Sequence, residues 1–263
     1  TEHVTRARIA ESLSKNKGRK LSLSFEYCLE VDSDALADLI DFGSEIELSI
    51  DKHVIEACLS DLCIMMRSGK VKVLSVYNLA DTSATRTFLS SIEFSQLSIL
   101  KVYDVSRDDL LPFINPPKTL RRFCLYSLVG AKVLRARDIC RFLPYITALS
   151  TSCSLTPDAV ECFGESRLQS LACHSCNWDV LVDMLRTNLT IQTFQSNTEA
   201  PPYFFQQIWV NTVVQYIQLS WRRSIALNQP RSKEKVCSCV VKGLRDTIGR
   251  DLLRPLCTML FVL

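Results

Sequence analysis

Glycine is scarce in this chain, with 7 among 263 residues. Loops that cradle phosphates need residues without a Cβ where the backbone closes on the ligand. Accordingly the sequence holds no G-x-G-x-x-G, no G-x-x-x-x-G-K-[ST] and no G-x-S-x-G. Neither a nucleotide loop nor a nucleophile elbow is encoded. Histidine is rarer still, at His3, His53 and His174 only. Long apolar runs are missing too. Met259 to Leu263 is as long as any, far short of the ~20 residues a membrane-spanning helix requires. Neither sign of charge dominates: 31 basic against 28 acidic residues leave a net +3, which argues against nucleic-acid binding. The basic clusters Lys15/Lys17/Arg19/Lys20, Arg135/Arg137/Arg141 and Arg231/Lys233/Lys235 read as solvated faces, the last two broken by Asp138 and Glu234. No secretory signal opens the sequence, and Thr1 is not an initiator methionine. A fragment or incomplete gene model is expected, with further protein upstream.

What is present is a recurring apolar pattern. Residues at the first, fourth and sixth places of L-x-x-L-x-L-x-x return every 22 to 26 residues. The clearest copies begin at Val71, Leu97, Leu120 and Leu168, with weaker ones at Ile146, Ile191 and Val214. Two more lie upstream, around Leu23/Phe25 and Leu48/Ile50, with Lys20 and Glu45 where an apolar residue should begin the pattern. The fourth-position residues are Leu23, Leu48, Leu74, Leu100, Phe123, Leu149, Leu171, Phe194 and Ile217. A steady period of this size predicts a stacked solenoid, each unit burying a face against its neighbours.

The pattern resembles that of leucine-rich repeats over about residues 19 to 222. The resemblance implies an α/β solenoid, with a curved parallel sheet on the concave face and helices and turns on the convex face. The ninth position departs from that family's Asn or Cys. It holds Cys28, His53, Leu79, Val105, Leu128, Ser154, Cys176, Glu199 and Arg222, of which only Cys28 and Cys176 conform. These are degenerate repeats, nearest in period to the intracellular cysteine-containing and ribonuclease-inhibitor-like subclasses. The domain reading is a truncated N-terminal flank at 1–18, a solenoid of about nine units at 19–222, and an irregular segment at 223–263 serving as an extra repeat or a cap. That last segment is also open to being a truncation or a gene-model artefact. Parallel strands are expected near 71–78, 97–104, 120–127, 146–152, 168–174 and 191–196.

The intervening segments read as helices joined to the strands by right-handed crossovers. Asp51 is placed to cap a helix carrying Val54, Cys58, Leu59, Leu62, Cys63 and Met66, which Gly69 would stop. Thr156-Pro157 reads as a cap and first-turn proline before Ala159, Val160 and Phe163. Asn177 would cap a helix with Val180, Leu181, Met184 and Leu185, and Ser33 another with Leu36, Leu39 and Ile40. Between Val105 and Leu120, Pro112, Pro116 and Pro117 permit only one or two helical turns.

Cysteine is the abundant reactive residue, at 12. Cys58, Cys63, Cys140 and Cys162 fall on expected apolar helix faces, and Cys28, Cys173 and Cys176 on inward strand positions. Free cysteine packs as a small hydrophobe, so a reducing cytoplasmic or nuclear setting is expected. Cys173-His174-Ser175-Cys176 has the spacing of a zinc or thiol-exchange site. The frame assigns both thiols inward and His174 outward, and no second C-x-x-C pair completes a zinc site. Core packing is the reading adopted, with no metal, no cofactor and no catalytic residue. The triplet Asn188-Leu189-Thr190 matches a glycosylation sequon, which short sequences meet by chance.

The concave face carries the functional expectation. Positions two, three, five, seven and eight are assigned away from the core. Position seven then places Tyr77, Tyr103 and Tyr126 on three consecutive strands, with Lys72, Asn78, Lys101, Asp104, Arg121 and Arg122 around them. Tyrosine and arginine are enriched at interface hot spots, while an aromatic ladder also stabilises adjacent strands. The expected function is a non-enzymatic protein-interaction module, monomeric or part of a larger complex. Its candidate partner-binding residues are Tyr77, Tyr103, Tyr126, Lys101, Arg121 and Arg122. By resemblance to F-box-associated repeat proteins, it would be the substrate-recognition part of a ubiquitin ligase, though no F-box segment lies near the N-terminus. The alternative is a regulatory scaffold for a small GTPase or phosphatase, and behind it a thiol or zinc protein.

Overall fold

The computed structural model describes residues 20–25, 45–103, 110–127, 133–188, 190–204, 206–211 and 213. Among them the chain is α/β, built on one eight-stranded parallel sheet. Strands β1 (Leu21–Ser24), β2 (Ile46–Asp51), β3 (Val71–Tyr77), β4 (Ile99–Tyr103), β5 (Arg122–Tyr126), β7 (Ala148–Thr151), β9 (Ser170–Cys173) and β10 (Thr193–Ser196) lie side by side in chain order. The two-residue strands β6 (Val133–Leu134) and β8 (Ser154–Leu155) form a second parallel pair. Between the strands come helices α1 (Lys52–Ala57), α2 (Leu59–Arg67), α3 (Ser83–Ser91), α4 (Ala136–Ile139), α5 (Pro157–Glu161) and α6 (Trp178–Thr187). Among the described residues between β4 and β5, one 3-10 turn forms at Leu111–Phe113, with Pro112 inside it. The flanks at 1–18 and 223–263, the helix expected after Ser33, and Ile217, Cys28, Val105, Leu128 and Asp104 lie outside the described residues.

All six expected strands form, and they pair without slippage at the fourth position. Leu23 lies opposite Leu48, Leu48 opposite Leu74, Leu74 opposite Leu100, and Leu100 opposite Phe123. Phe123, Leu149, Leu171 and Phe194 continue the row. From Leu48 to Leu171 these side chains are essentially inaccessible to solvent. Residues at i and i+2 share a face of a strand, so the sixth-position Ile50, Val76, Val102, Leu125, Thr151 and Cys173 are buried on the same side. The helices join the same core through Val54, Leu62, Met66, Phe88, Ile139, Val160, Leu181 and Leu185. Phe123 of β5 stacks on Phe142, centroids 4.1 Å apart.

Five of the six strands begin two residues later than the pattern implies, and for β5, β7, β9 and β10 the hydrogen bonds show why. The carbonyl of Ser98 accepts from both Arg121 N and Arg122 N; that of Arg121 accepts from Thr147 N and Ala148 N. The carbonyl of Thr147 likewise takes Gln169 N and Ser170 N, and that of Gln169 takes Gln192 N and Thr193 N. One second-position carbonyl thus receives two successive N–H groups from the next strand. The chain bends there, and regular pairing starts only at position three. The polar residues at Lys20 and Glu45 have a related explanation. Ile46, one place later, pairs with Val71 through a register shift between Ile46 and Glu47, while Leu21 pairs with Ile46. A bulge of this kind lets the apolar entry residue move by one position without turning the strand over.

Local chemistry closes the helices. Asp51 Oδ1 accepts from His53 N at 3.0 Å and Val54 N at 3.2 Å, and Asn177 Oδ1 accepts from Asp179 N and Val180 N. Thr82, which the sequence reading missed, caps α3 through Thr85 N at 3.2 Å. Thr156 does not cap α5 with its side chain; its hydroxyl donates to the Leu134 carbonyl at 2.9 Å, tying two units together. Gly69 ends the turn after α2 at φ 75°, where a side chain would be strained. Serines repeat at the return into the sheet. Ser68, Ser95 and Ser166 each donate to the carbonyl three residues back, at 2.7, 2.6 and 2.8 Å. Asn188 and Asn211 do comparable work further along. Asn188 Nδ2 donates to the Phe163 carbonyl, and Asn211 Nδ2 donates to the carbonyls of Leu185 and Asn188. Asn188 is 3% exposed, so the sequon asparagine is a buried structural donor.

Three thiol assignments need correction. Cys58 is buried as expected, but Cys63 and Cys162 are only half-buried and Cys140 is exposed. The helix expected to carry Cys140 inward is a single turn, and Cys140 stands at its C-terminal cap. Replacing Leu100 by Ala should remove a fully buried member of the fourth-position row and cost about 2–5 kcal/mol. A denaturant midpoint within error of wild type would show that the row does not hold the sheet.

Candidate functional site

Strand alternation decides what the other side of the sheet presents. Positions three, five and seven of each strand share a face, opposite the buried fourth and sixth positions. On β3 these are Val73, Ser75 and Tyr77; on β4, Ile99, Lys101 and Tyr103; on β5, Arg122, Cys124 and Tyr126. Zero-shift pairing sets Tyr103 directly opposite Tyr126. The rings stack in sequence. Tyr77 and Tyr103 have centroids 4.4 Å apart with planes 5° from parallel, and Tyr103 and Tyr126 are 5.0 Å apart at 23°. That spacing matches the ~4.8 Å between neighbouring strands. All three tyrosines are half-buried, and the Tyr126 hydroxyl lies 3.2 Å from Ser150 Oγ on the next strand.

A charged group crosses the same face. Glu47 of β2 sits 3.0 Å from Lys20 Nζ and 3.6 Å from Lys101 Nζ. Since Lys101 belongs to β4, its side chain and that of Glu47 reach toward one another over β3. This roof accounts for Val73 and Ser75, which face away from the helical core yet are 5% and 2% exposed. Positions three and five face outward as expected, and on β3 they are also covered. The hydrogen bond from Lys20 holds the Glu47 carboxyl below its ordinary range, with Lys101 adding to the effect. Cys124 is buried beneath this surface, and burial raises its thiol pKa.

Of the six candidate binding residues, the structure gathers five. Tyr77, Tyr103, Tyr126, Lys101 and Arg122 share the face, with Lys101 already engaged by Glu47. Arg121 precedes β5 at the bend, where its N–H and that of Arg122 both donate to the Ser98 carbonyl, and its guanidinium donates back to the carbonyls of Lys118 and Leu120, both at 3.0 Å. Glu47, Ser75, Cys124 and Ser150 are members of the face that the sequence reading missed. Counting back two from each tyrosine finds Ser75, Lys101 and Cys124.

The C-x-x-C segment behaves as a packing element. Cys173 is 4% exposed and Cys176 packs half-buried against the core, while His174 is exposed with Nδ1 3.1 Å from Asn197 Nδ2. The thiols contact one another: the hydrogen bond with Cys176 raises the Cys173 pKa and lowers that of Cys176. Among the described residues no three His, Cys, Asp or Glu side chains converge on a common point, and no helix is long and apolar enough to cross a membrane. No protein-family model matches this chain, and none of the curated proteins matches it.

Burial first, then the flanking Tyr77 and Tyr126, pushes the Tyr103 hydroxyl up to about 12. A folded-state value above the ~10 of an unfolded tyrosine means that folding favours the protonated ring. The associated stability is present below pH ~10 and is lost as pH rises through about 12. Spectrophotometric titration should therefore show a late phenolate step that Tyr103→Phe removes. Identical titration curves for the two proteins would disprove the assignment.

Proposed function

We propose that this chain is a degenerate leucine-rich-repeat-like solenoid, with its sheet on the concave side, and that it is a non-enzymatic module binding a protein partner through that face. The observation that carries the reading is the stacked trio Tyr77, Tyr103 and Tyr126. Each ring keeps part of its surface in water on the side away from the helical core. Stacking has already restricted the rotamers, so a partner covering these rings meets a rigid apolar platform at little further entropic cost. Arg122, exposed at the start of β5, adds a cation two residues from Cys124 and four from Tyr126. The sequential parallel order and the zero-shift row of fourth-position residues support the solenoid. Service as the substrate-recognition part of a ubiquitin ligase, in the cytoplasm or nucleus, follows from analogy of fold alone.

The test compares affinity purifications from cells expressing the wild-type chain, Tyr103→Ala, and Phe94→Ala as an exposed control outside the sheet. Tyr103→Ala should lose only ~1 kcal/mol of stability from its ring contacts, while the affinity of the principal bound protein falls by about 2 kcal/mol or more. Phe94→Ala should retain that protein. Unchanged retention by a normally melting Tyr103→Ala would make the tyrosines a purely structural ladder. A Tyr103→Ala variant as unstable as Leu100→Ala would show that the face assignments are wrong.

A further inference from the structure

Cys140 and Cys162 occupy the same place in consecutive units. Each precedes a fourth-position residue by nine: 149 − 140 = 9 and 171 − 162 = 9. Strands that pair without shift bring such equivalent positions side by side, and the two sulfurs are 2.8 Å apart. A disulfide needs about 2.05 Å, so closure calls for a movement of less than ~1 Å. Cys140 caps the short helix α4 and is exposed; Cys162 caps α5 and is half-buried. Both line an open groove of about 640 Å³, together with Leu143, Pro144, Glu165 and Arg167. A small reagent can therefore reach Cys140 from solvent, with Cys162 directly behind it. The pair lies on the helical side, away from the tyrosine face, so it stands independently of the proposed binding function.

We propose that Cys140 and Cys162 form a reversible disulfide between adjacent units, made by exchange with a low-molecular-weight disulfide of the glutathione type. Cys140 gives up its proton, and its thiolate attacks one sulfur of the reagent. A Cys140–reagent bond forms, the reagent's own S–S bond breaks, and one small thiol leaves. Cys162 then loses its proton to solvent and attacks the Cys140 sulfur. The Cys140–Cys162 bond forms and the second small thiol departs. Two protein thiols are oxidised and one small disulfide is reduced to two thiols. The order of events follows from the environments. Burial first, then Cys140, Asp158 and Glu161, push Cys162 up to about 12, so it rests as a thiol while exposed Cys140 meets the reagent. In a reducing compartment, disulfides of this kind are transient and respond to the glutathione poise.

The experiment equilibrates the purified full chain with mixtures of glutathione and glutathione disulfide, alkylates the remaining thiols, and maps the digest by mass spectrometry. Wild type should yield a peptide pair cross-linked between Cys140 and Cys162, reversed by excess glutathione, with an upward shift of the melting temperature. In Cys162→Ser the reaction should stop with glutathione on Cys140, and in Cys140→Ser position 162 should remain free. Wild type that stops at glutathionylated Cys140 would overturn the proposal. So would a cross-link mapping instead to Cys173–Cys176, or both thiols remaining fully alkylatable at every mixture.

Discussion

A parallel strand cannot hydrogen-bond to its successor in the chain until the backbone has returned to the edge where it began. Each return here takes 22 to 26 residues, and the unbonded backbone groups along it have to be satisfied. The serines at 68, 95 and 166 and the asparagines at 188 and 211 do this at the point of re-entry. The doubled bonds to second-position carbonyls then fix where the new strand starts. With the start fixed, the fourth-position residue has one partner available, and the row from Leu23 to Phe194 stays in register. A slip of one residue would turn every side chain of that strand to the opposite face. Re-entry geometry thus determines the core and the outer face together.

That dependence explains why the tyrosines stack. Three rings at position seven are neighbours only if three strands keep one register. Ring contacts of 4.4 and 5.0 Å are the strand spacing expressed in side chains. The same regularity allows Glu47 to meet Lys101 from two strands away. Both partners are about a quarter to a third exposed, so the pair contributes modestly to stability. Its larger effect is to cover β3 and keep Val73 and Ser75 from solvent.

The apolar frame was the legible part of the sequence. A residue pattern repeated many times averages out local ambiguity, which is why strand order and fourth-position partners follow from it. Strand starts did not, because the double-bonded bend depends on backbone geometry that any residue adopts: Ser98, Arg121, Thr147 and Gln169 all serve. The pair β6 and β8 was invisible for a related reason, since two residues carry no periodicity. On the outer face, tyrosines were identifiable and their neighbours were not. Calling Cys140 inward extended a helical face across a segment that makes only one turn.

Pairing parallel strands in register also sets which side chains meet. Equivalent positions become neighbours, so like residues meet like: Tyr77 and Tyr103, and Cys140 and Cys162 at 2.8 Å. Rows of this kind supply an extended run of rings on one side and a pair of identical thiols on the other. The two proposals for this chain draw on the same geometric rule at opposite faces. Both follow from the register before any particular partner or oxidant is specified.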